Sequence, residues 1–290
     1  EELTGVNQPS NPVLPALPPP LKWVSRIADG TDSVIRLQAD SDKQVEPVSD
    51  RLAVSDLFVD QPGKVEFLGS CDAAWRIWLN GRELARRDKP AAFRPNADRF
   101  DALLDKGLNR LVVRIEKATA ETRFHLRFRL KSSKAEHERL IQLGLEGQGS
   151  AARGREVFLD SEKSQCVKCH RLAEQQAGRI GPDLTGIGSR FSRIHLIESI
   201  LEPSRTVAPS YATLIVALAD GQVLSGVKIA ETTSTLTLGD NQGKTHTIIR
   251  SEIDELKVQV QSTMPDGLEK RLTDREFVDL LIFLISQKKK

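Results

Sequence analysis

Two blocks of short runs, in which apolar and polar residues alternate, constrain the fold of this chain most. The first block lies between Trp23 and Leu130, and the second lies between Tyr211 and Val260. A period of two residues places alternate side chains on opposite faces of a strand, so each block predicts antiparallel sheet. Outside the blocks, apolar residues recur at helical spacing. The 290 residues therefore predict a multidomain fold with both α and β structure.

The first block predicts an antiparallel β-sandwich over residues 23–132. Asn80-Gly81 between two runs is a strong hairpin signal, because both positions of a type I′ turn need a positive φ. The segments 78–84 and 103–115 resemble the galactose-binding-like jelly rolls that occur beside catalytic or redox domains in secreted proteins. The expected strands are 33–37, 56–59, 64–68, 75–79, 110–115 and 123–130.

Glycine and proline residues divide the rest of the chain. Six of the fourteen prolines lie in residues 1–22, which predicts an extended tether. Helical spacing predicts helices at 134–146, 151–158 and 192–201, and the capping box Thr273 to Glu276 predicts a last helix. We therefore expect a helical linker at 133–149, a mainly α domain at 150–209 and 262–290, and an independent β-barrel-like insert at 210–261.

Cys166-Val-Lys-Cys169-His170 carries the strongest chemical signal in the chain. Two thiols on one helical turn can form thioethers with both vinyl groups of one porphyrin, and the next imidazole can then bind the iron. This spacing predicts one covalent haem c. A thioredoxin-like redox pair and half of a zinc site are the alternatives, although zinc needs more ligands and only His195 lies nearby in the sequence.

The iron of such a haem needs a second axial ligand, and Met264 is the only methionine in the chain. A lone methionine is normally a filler of the core. Here Pro265 and Gly267 place it on a loop before the last helix. We therefore predict that Met264 ligates the iron opposite His170, as in cytochromes c.

Five motifs in this order resemble the planctomycete-type cytochrome c haem-binding domains, a branch of the class I cytochromes c. They are Gly154-Arg-Glu-Val-Phe158, the Cys166 to His170 motif, Gly181-Pro-Asp-Leu-Thr-Gly-Ile-Gly188, Leu201-Glu-Pro-Ser204 and Met264-Pro265. The resemblance implies that His170 and Met264 ligate iron. It also implies that the Pro182 carbonyl accepts the Nδ1 proton of His170 and that Leu184 packs on the porphyrin. The long β insert between Cys169 and Met264 departs from ordinary class I cytochromes.

Charge and hydropathy limit the partners. The net charge of +2 gives no basis for nucleic-acid binding. The longest apolar stretch, Phe277–Ile285, is too short to span a membrane. Trp75 and Trp78 fall on opposite faces of one strand, so one of them could stack on a carbohydrate. Cys71 stands apart from the motif and is expected to be buried and unreactive.

These observations predict a monohaem electron-transfer module rather than an enzyme, because filled axial positions leave no site for substrate. Covalent haem implies assembly in the periplasm or elsewhere outside the cytoplasm, with a redox partner protein or an adjacent domain. The first residue is not methionine, so we expect a segment of a longer precursor. Two alternatives remain open: a haem enzyme with an open distal site, such as a peroxidase or gas binder, and a carbohydrate-binding anchor that carries a haem.

Overall fold

A computed structural model describes residues 33–37, 49–172 and 180–288, together with positions 25, 28 and 31. The chain divides into two compact units, Glu1–Ser133 and Lys134–Lys290. The predicted tether at 1–22 lies outside the described residues. Within the described part of the chain, no helix is both long and apolar enough to cross a membrane.

The first unit contains two four-stranded antiparallel sheets. One has the strand order β1-β8-β3-β6, and the other has the order β2-β7-β4-β5. The strands are β1 (Ile35–Arg36), β2 (Ser49–Val59), β3 (Gly63–Cys71), β4 (Ala74–Leu79), β5 (Arg82–Arg87), β6 (Asp98–Leu104), β7 (Gly107–Ala118) and β8 (Arg123–Leu130).

One apolar core joins the two sheets into the predicted sandwich. It takes Phe67 from β3 and Trp75 from β4, which are 1% and 2% exposed, together with further residues of β6, β7 and β8. Alternate residues of β3, Val65, Phe67 and Cys71, face this core, although the strand is buried on both faces from Val65 onward. The hairpin between β4 and β5 turns at Asn80 and Gly81, with φ of 49° and 79°, as predicted.

Three helices of the second unit, those that begin after Ser150, Ser192 and Thr273, have N-termini that are capped by side chains. Ser150 and Ser192 each accept a hydrogen bond from the amide three residues later, and Thr273 and Glu276 form the predicted capping box. The helices are α1 (Ala135–Glu146), α2 (Ala151–Leu159), α3 (Cys166–Cys169), α4 (Ile187–Arg190), α5 (Arg193–Leu201) and α6 (Asp274–Ser286).

Helices α2 and α6 cross closely, as their apolar faces predict. The rings of Phe158 and Phe283 lie 5.6 Å apart. At Gly154, an added Cβ would overlap the carbonyl oxygen of Asp279, so only glycine permits this approach. The Asp279 carboxylate, 3% exposed, binds Arg153 Nε at 2.6 Å and also accepts the Ser150 amide at 2.6 Å. The crossing is therefore held by both apolar and polar contacts.

The remaining strands form one five-stranded antiparallel sheet with the order β12-β11-β10-β9-β13. A small apolar core of Val216, Leu236, Leu238 and Ile248 lies against it. The strands are β9 (Thr213–Leu218), β10 (Val223–Glu231), β11 (Thr235–Gly239), β12 (Thr245–Ile249) and β13 (Ile253–Gln259).

The predicted fold class is wrong in its second part. We expected the sandwich to be followed by a mainly α class I cytochrome c domain with a small β-barrel-like insert. The part of the chain that the structure describes is instead mostly β, with three antiparallel sheets, 39% strand and only 25% helix in six helices. The physical reason is that the period-two runs after Thr213 pair into an extended sheet, whereas α3 and α4 have only four residues each.

Candidate functional site

Helix α3 brings the two thiols of the motif onto one turn. Its four residues begin after Gln165, which adopts the left-handed conformation with φ of 60°. The Lys168 amide donates to the Gln165 carbonyl at 3.1 Å, and the His170 amide donates to the Cys166 carbonyl at 2.9 Å. Cys166 and Cys169 are three residues apart, so their side chains leave the same side of this turn. His170 follows at the point where the helix ends.

A single hydrogen bond orients the His170 ring. Its Nδ1 lies 2.9 Å from the Pro182 carbonyl oxygen. A carbonyl can only accept, so Nδ1 carries the proton and Nε2 of the neutral ring keeps a free lone pair. Burial lowers the pKa of His170 and outweighs the opposing effect of the Pro182 carbonyl. The imidazole is therefore neutral at pH 7. Its unprotonated Nε2 can offer a lone pair to a metal ion.

The segment after Ile180 runs beside the motif and supports the ring from one side. The Gly181 amide donates to the Cys169 carbonyl at 2.9 Å, and the Leu184 amide donates to the Arg171 carbonyl at 3.0 Å. An added Cβ at Gly181 would lie 2.7 Å from Cε1 of His170, so only glycine leaves room for the imidazole. The structure thus brings the motif, Pro182 and the half-buried Leu184 together.

The two thiols are free and half-buried. Burial raises the pKa of both Cys166 and Cys169. A thioredoxin-like pair needs a lowered pKa, because the thiolate is its nucleophile. The environment of α3 therefore disfavours thiol–disulfide exchange by this pair.

Met264 lies on a loop that hydrogen bonds hold at both sides. Its amide donates to Ser262 Oγ at 3.1 Å, and the Ser262 amide donates to Ser204 Oγ at 3.1 Å. The hydroxyls of Thr263 and Thr213 lie 2.7 Å apart. The loop is therefore tied to the end of α5 and to the start of β9. The Met264 side chain is half-buried, and its role as an axial ligand stays a prediction.

The insert contacts the motif, although α2 and α6 still pack on each other as predicted. The turn between β11 and β12 lies on the motif, where an added Cβ at Gly243 would be 3.0 Å from the Lys168 carbonyl oxygen. At the end of β11, an added Cβ at Gly239 would be 2.5 Å from a side-chain carbon of Ile180. No local sequence pattern encodes a contact between segments so far apart in the chain, so sequence analysis could not find it.

The expectation of metal-binding side chains needs a correction. Among residues 33–37, 49–172 and 180–288, no group of three or more His, Cys, Asp and Glu side chains could hold a metal ion. The reason is that three histidines outside the motif interact with aromatic or carboxylate side chains instead. His195 stacks on Phe191 at 4.5 Å, and His246 binds Asp240 at 2.8 Å, while His137 lies between Glu202 and Glu269. None of these contacts adds a ligand to the cysteine pair.

The tryptophans considered for carbohydrate stacking and the third cysteine lie in the sandwich. Trp75 belongs to its core, whereas Trp78 is half-buried on the opposite face of β4. Cys71 is fully buried, and burial raises the pKa of its thiol to about 11. Cys71 is therefore the unreactive thiol that the sequence predicts.

No family model matches this chain, and no curated protein matches it. The Beta-glucosidase from Kluyveromyces marxianus in complex with glucose is 13% identical, with a TM-score of 0.30 over 39% of this chain and 15% of that one. An anti-sigma factor domain-containing protein from Clostridium clariflavum is 14% identical, with a TM-score of 0.29 over 38% and 37% of the two chains. The PA14 domain of the MpAFP antifreeze protein is 11% identical, with a TM-score of 0.25 over 30% and 47%. Each match spans less than half of the other protein.

Proposed function

We propose that this chain carries one covalent c-type haem on Cys166 and Cys169 and serves one-electron transfer. The observation that carries the proposal is the His170 ring, which the Pro182 carbonyl orients beside the cysteine pair with Nε2 unprotonated. The order of the five motifs, which resembles the planctomycete-type cytochrome c domains, supports the same assignment. The cofactor and the activity are both part of this proposal.

The residues fit such a group. The porphyrin supplies four ligands to its iron, so the protein needs only axial donors and no cluster of three side chains. Gly181 leaves space for the ring of His170, and the neutral thiols of α3 are spaced for two thioethers. Cys166, Cys169, His170, Leu184 and Met264 are all half-buried, as residues that line a cofactor should be.

Each residue has a separate task in this proposal. Cys166 and Cys169 hold the cofactor covalently, and the hydrogen bond from His170 to Pro182 fixes the imidazole and raises its basicity. Leu184 would exclude water from the group, and the sulfur of Met264 would help to hold its iron. A haem held here would supply a reversible one-electron couple.

The location and the redox partner follow from the same chemistry. Covalent attachment of haem c takes place outside the cytoplasm, so we place this chain in the periplasm or another extracytoplasmic space. Its partner is a redox protein or a domain of a longer polypeptide that donates or accepts single electrons.

Haem staining after denaturing electrophoresis tests the proposal. We expect the colour to stay with the polypeptide, at one haem per chain, and to disappear in the double variant Cys166→Ala, Cys169→Ala. Cys71→Ala is the matched control and should keep the colour, since Cys71 lies in the sandwich core. Colour that acid acetone extracts from the parent protein would contradict covalent attachment.

Carbohydrate is a second partner that we propose, for the sandwich unit alone. The supporting observation is that Trp78 is half-buried on the face of β4 opposite the core, where an indole can stack on a sugar. A glycan array should show binding by the parent and at least about a tenfold loss with Trp78→Ala, equivalent to about 1.4 kcal/mol. The variant Phe58→Ala, which truncates a 73% exposed aromatic, is the control. Absence of binding by the parent would rule out this partner.

A further inference from the structure

The turn between β11 and β12, residues 240–243, lies against the attachment helix. At Gly243, where φ is 85°, an added Cβ would be 3.0 Å from the carbonyl oxygen of Lys168 and 3.2 Å from its Cβ. The neighbouring contact of Gly239 with Ile180 extends this interface to the segment that supports His170. Two contacts on consecutive parts of one hairpin show that the insert covers one side of the motif.

The same turn carries a negative charge that the structure holds in place. The Asp240 carboxylate accepts the amides of Gln242 and Lys244, both at 2.9 Å, and binds His246 Nε2 at 2.8 Å. Its side chain is only 19% exposed. Burial raises the pKa of Asp240, but these hydrogen bonds outweigh burial and keep the group ionised. A partly buried charge is screened less by salt than a surface charge.

This charge lies in the turn that contacts the motif. Asp240 begins that turn, and Gly243 ends it against Lys168, the residue before Cys169. Arg171, which follows the motif, is paired with Asp183 at 2.9 Å. The charge that the turn brings to the motif is therefore negative.

We propose that the turn at 240–243 clamps the attachment helix and lowers the reduction potential of the cofactor through the fixed charge of Asp240. This inference rests on the proposed function. Reduction adds one electron from an external one-electron donor to ferric iron, and no bond or proton changes at Asp240. A nearby negative charge stabilises the more positive ferric state, so its removal must raise the potential.

Two matched pairs of variants separate the charge from the contact. The other hairpin closes in the same way, with Gly221 at the position of Gly243, and its Asp220 carboxylate accepts one amide, that of Gln222, at 2.9 Å. Gly221 has φ of 86°, like Gly243, but an added Cβ would meet nothing within 4 Å. Alanine therefore strains both backbones equally and disturbs the motif only at Gly243.

Redox titration of the haem-loaded full chain tests the charge. Asp240→Asn keeps an oxygen that accepts the two amides, so we expect a more positive midpoint potential with an unchanged fold. Asp220→Asn should leave the potential unchanged. An unchanged potential in Asp240→Asn, or an equal shift in both variants, would overturn the role of Asp240.

Hydrogen exchange on the full chain as purified tests the clamp without relying on a haem. We expect Gly243→Ala to speed the exchange of the amides at 166–170 severalfold, and Gly221→Ala to leave them at the parent rate. Equal exchange in the two variants would overturn the clamp. A parent chain without bound haem would instead contradict the proposed function, and the exchange result would still decide the clamp.

Discussion

Alanine at Met264 should abolish the weak charge-transfer band near the red end of the ferric spectrum and open the iron to external ligands. The thioether is a soft neutral donor that favours ferrous iron, so its loss should also lower the potential. Since about 1.4 kcal/mol corresponds to a tenfold change in an equilibrium constant, loss of the iron–sulfur bond should strengthen cyanide or carbon monoxide binding by at least about tenfold. Stopped-flow absorbance measures both rate and affinity.

Met264→Leu and His195→Ala are the controls for this prediction. Leucine keeps the bulk of the half-buried side chain, so it should open the iron as alanine does without disturbing the loop that Ser262 holds. His195 stacks on Phe191 in the structure, and its removal should leave the spectrum unchanged. If the parent binds these ligands rapidly and Met264→Ala keeps its spectrum, Met264 is not the ligand. The haem-enzyme alternative would then replace electron transfer.

Gly154→Ala should destabilise the C-terminal unit severely. An added Cβ would overlap the Asp279 carbonyl oxygen and approach Phe283 Cβ to 2.7 Å, and a helix backbone cannot move aside as a flexible side chain can. Forcing α2 and α6 apart should reduce the free energy of unfolding by about 3 kcal/mol, the upper range for overpacked cores. Urea denaturation followed by far-ultraviolet circular dichroism measures the change.

Gly144→Ala is the comparison for this variant. Its added Cβ would be 2.8 Å from the terminal carbon of Ile197 and 3.0 Å from that of Leu281, and both are ends of flexible side chains. We expect a smaller loss in the free energy of unfolding than for Gly154→Ala. Part of this loss should be offset, because alanine is more stable than glycine within a helix by about 1 kcal/mol. If Gly154→Ala were more stable than the parent, helix propensity would outweigh the contact and the crossing would be looser than it is here.

Local patterns predicted most elements because burial in this chain is regular. The run 123–130 coincides with β8, and the helix at 134–146 matches α1 within one residue. The strands β5 and β6 were missed, since β5 (Arg82-Glu-Leu-Ala-Arg-Arg87) is mostly charged and β6 begins Asp98-Arg-Phe-Asp101. Such strands pair through backbone hydrogen bonds and carry little apolar alternation.

In the candidate site, too, the local features were predictable from the sequence and the long-range contacts were not. The spacing of Cys166, Cys169 and His170 is a local property, and one helical turn is enough to place both thiols on one side. Pro182 entered only through the family resemblance, and the structure places its carbonyl on His170 Nδ1. Asp240 and Gly243 carry no signal that would link them to the motif.

The sequence by itself therefore determined most of the strands, the capping box of the last helix and the spacing of the Cys166 to His170 motif, since each depends on residues within a few positions of one another. Only the tertiary structure decided the strand order β12-β11-β10-β9-β13 in the second unit, the contact of its hairpin with the motif, and the place of Asp240 in the turn that meets Lys168. The physical reason is that such contacts depend on close packing between distant segments. These contacts also depend on single groups, such as the absent Cβ of Gly243 or the hydrogen-bonded carboxylate of Asp240, which a periodic sequence pattern does not reveal.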